Sequence, residues 1–269
     1  MKLQTVALLY HDVYAEEGPR SSGFARPSSD AYKLERAHFE QHLDQVAAEL
    51  KGPMVDGGWL ADLRAHPDGV PTLLTFDDGG VSAHTVIAPM LEARGWRGLF
   101  FVATDFIGSP GFLSEEQIAD LDARGHVIGS HSCSHPPKIS DCSEAELRHE
   151  WGESRRRLEA IVGHEVSVAS IPGGFYAPAV ARVAAEEGLT LLFTSAPVRA
   201  AWQVGSCTLF GRFPIMGTTP ARVAGEYAGQ QRLRMGRELA FWRAKNAAKA
   251  CLGPIYPWLR RTYYGRRRP

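Results

Sequence analysis

The chain has 269 residues, 44% hydrophobic and 22% charged, and its 30 basic and 30 acidic side chains cancel to a formal net charge of zero. That length can bury a sizeable core as one large α/β domain or two small ones, and the composition excludes a disordered, collagenous or disulfide-built chain. Cys133, Cys142, Cys207 and Cys251 form no CxxC pair, which fits a reducing compartment. The short apolar run after Met1 meets His11-Asp12 instead of a small-residue cleavage site, and no apolar run reaches the ~18–20 residues of a membrane span. A cytoplasmic protein is expected.

Val6 to Tyr10 reads as a first strand ending at His11, followed by a Gly-, Pro- and Ser-rich loop over 16–30 that is long enough to be functional or mobile. Phe39, Leu43, Val46, Ala47 and Leu50 recur at helical spacing between Arg36 and Leu50. Thr72 to Phe76 is the next strand; Ser82 opens a helix carrying Val86, Ile87, Met90 and Leu91, stopped by Gly95. A third strand spans Gly98 to Ala103. Ser114 and Gln117 make a capping box for a helix that ends at Gly125, and His126 to Ser130 is a fourth strand. A longer helix runs from Ser143 to Gly163. Val166 to Ile171, Thr190 to Thr194 and Cys207 to Ile215 complete the strands, with a helix over Ala179 to Glu187 between the first two.

About seven strands thus alternate with about six helices, which implies βαβ units and a parallel sheet. The expected architecture is a closed or nearly closed β/α barrel, with a doubly wound sheet as the alternative. In a barrel the reactive residues gather at one mouth, at the C-terminal ends of the strands. His11, Asp77, Asp78, His131, Pro172-Gly173-Gly174 and Arg212 all fall just beyond predicted strand ends.

Those residues suggest a chemistry. The adjacent carboxylates Asp77 and Asp78 repel unless a cation, a proton or a donor separates them. His131 and His135 with one of them make the His₂-carboxylate set of a hydrolytic Zn²⁺ site, and Co²⁺ or Ni²⁺ would suit the same ligands. The other carboxylate is placed to accept a proton from a water held there. Cys133, between the two histidines in an extended loop, reads as a structural thiol. The remaining histidines (38, 42, 84, 149 and 164) read as surface or packing residues, and Trp59, Trp96 and Trp202 as core or rim aromatics that could face a sugar.

Thr75-Phe76-Asp77-Asp78-Gly79 and His131-Ser132-Cys133-Ser134-His135 resemble the first two motifs of the polysaccharide deacetylases, the NodB-homology family or carbohydrate esterase family four. Tyr10-His11-Asp12, Phe100-Phe101-Val102, Leu113-Ser114 and 125–130 resemble it too, so the likeness covers roughly 5–215. The resemblance implies a distorted (β/α)7-type barrel with its metal site at the strand C-termini. It further implies Asp77 as general base, Asp78, His131 and His135 as metal ligands, and metal-assisted removal of an acetyl group from an N-acetylated, less often O-acetylated, sugar.

Two departures accompany the likeness. The family's Arg-x-Pro-x-Gly motif reads Ser170-Ile171-Pro172-Gly173-Gly174, so a serine stands where the arginine that holds the catalytic aspartate is expected. Arg212 on a neighbouring strand end is the candidate replacement, and the Gly173 amide remains able to serve an oxyanion. The family's Leu-x-His motif has no histidine in Leu209-Phe210-Gly211, which leaves His11 as the candidate acid from the opposite wall. The alternatives to a sugar deacetylase are another amide or ureide hydrolase on this fold and a non-catalytic carbohydrate-binding relative.

The catalytic barrel is expected over 1–218 and a helical extension over 219–269. From Gln231 onward eleven Lys and Arg face one acid, Glu238, and Trp258, Tyr263 and Tyr264 stand among them. Such a tail suits peripheral contact with an anionic membrane or a polyanionic glycan. No nucleic-acid motif accompanies the charge, and a solvated helix packed on the acidic body is the plain alternative. Membrane contact would place the enzyme near a lipid-linked or exopolysaccharide precursor.

Overall fold

Seven apolar runs set the architecture. In the computed structural model, which describes residues 3–55, 57–61 and 69–252, they become β1 (Val6–Tyr10), β4 (Thr72–Phe76), β5 (Leu99–Val102), β6 (Val127–Ser130), β7 (Val168–Ser170), β8 (Leu191–Phe193) and β10 (Cys207–Phe210). Their residues are buried almost throughout, as strands covered on both faces must be. Short pieces complete the strand set: β2 (Val13–Tyr14) pairs with β3 (Leu34–Glu35), β9 (Trp202–Val204) lies antiparallel to β10, and β11 (Phe213–Pro214) pairs with β1.

The main sheet runs β11-β1-β4-β5-β6-β7-β8-β10-β9, parallel except at β9. Its two sides meet through one bent strand. Through β10 that strand pairs with β8, Thr208 opposite Leu191; two residues later, as β11, it pairs with β1, Phe213 opposite Leu8. The bend is Gly211-Arg212. A Cβ at position 211 would lie 2.3 Å from the Val198 carbonyl oxygen and 2.5 Å from that of Ala196, so only glycine lets the 196–198 segment pass this closely. The result is a distorted seven-stranded barrel, not a doubly wound sheet.

The helices are α1 (Pro27–Asp30), α2 (Arg36–Glu49), α3 (Gly57–Ala61), α4 (Ala88–Glu92), α5 (Glu115–Ala123), α6 (Glu144–Val162), α7 (Pro178–Glu186), α8 (Ala221–Ala228) and α9 (Arg232–Leu252). Ser114 and Ser143 each close a capping box, with Gln117 and Glu146, and Gly163 ends α6 at φ +79°. The expected Ser82 cap is absent. The Ser82 hydroxyl donates to Asp12 and accepts from the Val13 amide, so it is occupied, and residues 83–87 form a π-helical turn before α4. Residues of α8 (Val223, Ala224, Tyr227 and Ala228) join the core formed by β1, β4 and α2. The packed body therefore runs past residue 218, where the sequence reading ends the barrel. The basic stretch after Leu252 lies outside the described residues.

Candidate active site

β4 delivers Asp77 and Asp78 to the mouth in different ways. Asp77 continues the strand, its amide donating to the Tyr10 carbonyl. Asp78 turns off it with φ +81°. Ser132 (φ +63°) and His135 (φ +51°) also hold left-handed backbone, so three of the four non-glycine residues in that region among the described residues lie at this one place. Each costs on the order of 1–3 kcal/mol, a strain that persists only where surrounding contacts enforce it.

Here the contacts are visible. Glu150 of α6 accepts the amides of Cys133 (2.9 Å) and Ser134 (3.0 Å) and the Ser134 hydroxyl (2.5 Å). Ser130 accepts the Ser132 amide, and Ser132 the His135 amide. Cys133 points back at α6, where its thiol lies against the Glu150 carbonyl, and burial pushes it up to about 11. Its reading as a structural thiol stands on that placement.

The loop so shaped brings His131 Nε2 and His135 Nε2 each to 3.5 Å from Asp78 Oδ1. One donor atom from each of the three side chains lies within 4.8 Å of the others. His131 Nδ1 sits 3.0 Å from the Ser170 carbonyl, which fixes the proton on Nδ1 and leaves the Nε2 lone pair facing Asp78. Burial, with His131 beside it, pushes His135 down to about 4, so its ring is neutral near pH 7. Burial alone would raise Asp78, but the neighbouring imidazoles of His131, His11 and His135 outweigh it and hold the carboxyl well below the usual range. Two imidazole lone pairs and one carboxylate are a donor set that fits a divalent ion.

Asp77 is held by protein alone. The Arg212 guanidinium meets it end-on, Nη1 at 2.7 Å from Oδ1 and Nη2 at 2.9 Å from Oδ2. The other N–H groups of the fork donate to the Ser170 hydroxyl (2.7 Å), Thr75 Oγ1 (3.3 Å) and the Thr194 carbonyl (3.0 Å), and the charge lies 5.6 Å from the Phe101 ring centre. Ser170 adds its own hydroxyl hydrogen bond to Asp77 at 3.2 Å. Ser170 and Arg212 together thus occupy the ground expected of one arginine. Burial would raise Asp77; facing Arg212 and His131, it is held below its usual range instead.

His11, just past β1, packs on Tyr32 with ring centres 4.8 Å apart, and its buried Nδ1 has no hydrogen-bond partner among the described residues. Gly173 turns at the end of β7 with φ +61°. Trp59 is buried against Phe210, while Trp202 meets the half-exposed Tyr176 at the rim. His42 is a packing residue, held between Tyr10 and the Thr219 carbonyl.

The sequence reading missed how the 16–30 loop is fastened. Buried Lys33 donates to the carbonyls of Pro19 (2.6 Å), Ser22 (2.6 Å) and Phe24 (2.8 Å). Asp12, raised by burial, accepts from the hydroxyls of Ser22 and Ser82. A Cβ on Gly80 would fall 1.8 Å from that carboxylate, so glycine is needed there. The loop thereby presses Phe24 against His135, ring centres 5.0 Å apart, and against Phe106 and Phe112. Asp12 beside His11 was the available signal; a lysine amid ordinary loop residues gave none.

Residues 65–192 match the profile of the polysaccharide deacetylases. Over that stretch the chain is similar to the polysaccharide deacetylase family. The match takes in Asp77, Asp78, His131, His135 and Ser170, whereas His11 and Arg212 lie outside it. YxkH of Bacillus subtilis strain 168, assigned by its name to the polysaccharide deacetylases, is 25% identical over 192 residues, 68% of this chain and 66% of YxkH. The chain therefore spans just under two thirds of that relative's length. Among solved structures, the Streptococcus pyogenes deacetylase PplD in complex with acetate superposes with a TM-score of 0.66 at 18% identity, over 82% of this chain and 96% of PplD. IcaB from Ammonifex degensii does so with 0.65 at 23% identity, over 84% of this chain and all of that one (100%). At such identities these two likenesses bear on the fold, and the fold is shared.

Proposed function

We propose that the protein is a metal-dependent deacetylase of an N-acetylated saccharide. One observation carries the reading: a complete His₂-Asp donor set, with atoms within 4.8 Å of one another, stands beside a second carboxylate that has its own fixed cation. A Zn²⁺, Co²⁺ or Ni²⁺ ion held by Asp78, His131 and His135 would supply an acidified water and a Lewis acid for the acetyl carbonyl. Asp77, kept ionised by Arg212, accepts the proton that the attacking water loses. The Gly173 amide donates to the oxygen that gains charge as the carbonyl carbon becomes tetrahedral. His11 delivers a proton to the sugar nitrogen as the carbon–nitrogen bond breaks, so that acetate and a free amine leave.

The alternative of a non-catalytic relative rested on the missing arginine and histidine. The bidentate Arg212–Asp77 pair counts against the first of those losses. The test is acetate release from a panel of N-acetylated saccharides by the metal-stripped and Zn²⁺-reloaded protein, alongside Asp77→Asn. Release that needs metal and disappears in Asp77→Asn supports the proposal. Tight stoichiometric metal with no release from any saccharide, but turnover of a ureide or formamide, would replace the substrate class; no turnover of any amide would leave a binding protein.

A further inference from the structure

Helix α9 leaves the packed body on one side only. Met235 is buried, Glu238, Leu239, Trp242 and Asn246 are half-buried, and at 100° per residue these five positions form a single inward stripe. Along this stripe Tyr227 donates to Glu238, which also pairs with Arg234. The opposite stripe is Leu233, Arg237, Ala240, Phe241, Ala244 and Ala247, all exposed. Leu233 is 87% and Phe241 66% exposed, against at most 37% for any other large apolar side chain among the described residues.

The edges of that stripe are cationic. Arg232 and Arg243 flank it on one side, Arg234 and Lys245 on the other, and Arg237 lies within it. Arg232, Arg237 and Arg243 have no ion pair among the described residues, and the one acid of the helix faces inward. A helix resting on the acidic body would turn its cations toward that body. This one turns Arg232, Arg237 and Arg243, together with its two large apolar side chains, to solvent.

We propose that this face of α9 docks on an anionic lipid bilayer, lying in its interface with Leu233 and Phe241 inserted and the arginines among the headgroup phosphates. An apolar row edged by cations matches the layering of such an interface, in which acyl chains lie beneath negative charge. A soluble polyanion would use the arginines and leave Leu233 and Phe241 bare. A second copy of the chain would set Arg237 and its flanking arginines against their own like, with no acid on the face to separate them. Spanning is excluded for α9, since no helix among the described residues is long and apolar enough to cross a membrane. The sequence continues in kind, with Trp258, Arg260, Arg261, Tyr263, Tyr264 and Arg266 to Arg268.

The experiment is flotation of the full chain with phosphatidylcholine vesicles and with vesicles holding about one third phosphatidylglycerol, in about 0.1 M NaCl. Binding to the anionic vesicles alone is expected, weakened by salt, and weakened about tenfold in Leu233→Gln/Phe241→Gln and separately in Arg232→Gln/Arg237→Gln/Arg243→Gln. These positions are exposed, so unchanged circular dichroism and metal content should accompany the loss. Equal binding to both vesicles, or to neither, overturns the proposal. Binding that survives Leu233→Gln/Phe241→Gln overturns it in favour of charge attraction to any polyanion. Sedimentation equilibrium that finds a dimer dissolved by the same double variant overturns it in favour of a second copy.

Discussion

Asp77 and Asp78 are chain neighbours that open onto two unlike halves of the barrel mouth. The Asp77 half is finished by the protein itself: a buried guanidinium and a serine hydroxyl satisfy the carboxylate from two strand ends. The Asp78 half gathers two imidazole nitrogens around a carboxylate oxygen at 3.5 Å and stops there, on a loop of left-handed backbone. The first half stores its cation in the fold and belongs to stability as much as to chemistry. The second offers a donor set that fits a divalent ion, so its energetics are predicted to follow the concentration of such an ion.

Breaking the first half should have the largest effect. Arg212→Met leaves Asp77 buried without its counter-ion and should cost about 3–5 kcal/mol in urea unfolding, together with nearly all of the proposed deacetylase activity. The pH profile of that loss has a definite sign. In the native protein Asp77 lies below its unfolded value, so the pair's contribution is full above the ordinary carboxylate range and is lost below it, as pH falls through the lower native value. Without Arg212, burial dominates and raises the same carboxyl, so the variant recovers as the group protonates. The gap in stability between wild type and variant should therefore be widest near neutral pH and narrow toward pH of about 4. A gap independent of pH would show that Arg212 acts through packing.

The same half can be rebuilt from the other strand. Ser170→Arg placed in an Arg212→Ser background should restore at least about tenfold of the lost activity, because position 170 already reaches both Asp77 and the space that the guanidinium vacates. For the second half the lever is metal. Zn²⁺ at about a hundredfold over its Kd should stabilise the wild type by about 2.7 kcal/mol in thermal melts and leave His131→Ala unmoved. The smallest effect belongs to the loop that walls this half. Lys33→Met strips a donor from three carbonyls, costs about 1–3 kcal/mol, and should speed metal loss by loosening Phe24 against His135. Metal release at the wild-type rate would separate the loop from the site.

All seven barrel strands were legible as short apolar runs between helical periods, because strands buried on both faces admit little else. Asp77, Asp78, His131 and His135 stood out because paired carboxylates and spaced histidines at strand ends are hard to explain otherwise. Arg212 was legible only as a cation on a suitable strand end; that it reaches Asp77 depends on the bend at Gly211, which a linear reading does not display. Lys33 and Glu150 were invisible for a related reason. Each works by binding backbone groups of a distant loop, and backbone carries no letter in the sequence. The π-helical turn after Ser82 shows the converse, a well-formed cap signal diverted by a tertiary partner.

The bent strand of β10 and β11 also sets an order of events during synthesis. Asp77 leaves the ribosome early, yet the cation that makes its burial tolerable lies 135 positions later, on the segment that joins the last strand to the first. Until that segment emerges, the growing chain has two open sheet edges and a carboxylate that must stay hydrated or protonated. A nascent chain halted before residue 212 should therefore remain an unclosed sheet, protease-sensitive and a client for chaperones, and a single late contact then closes the barrel and charges the site together.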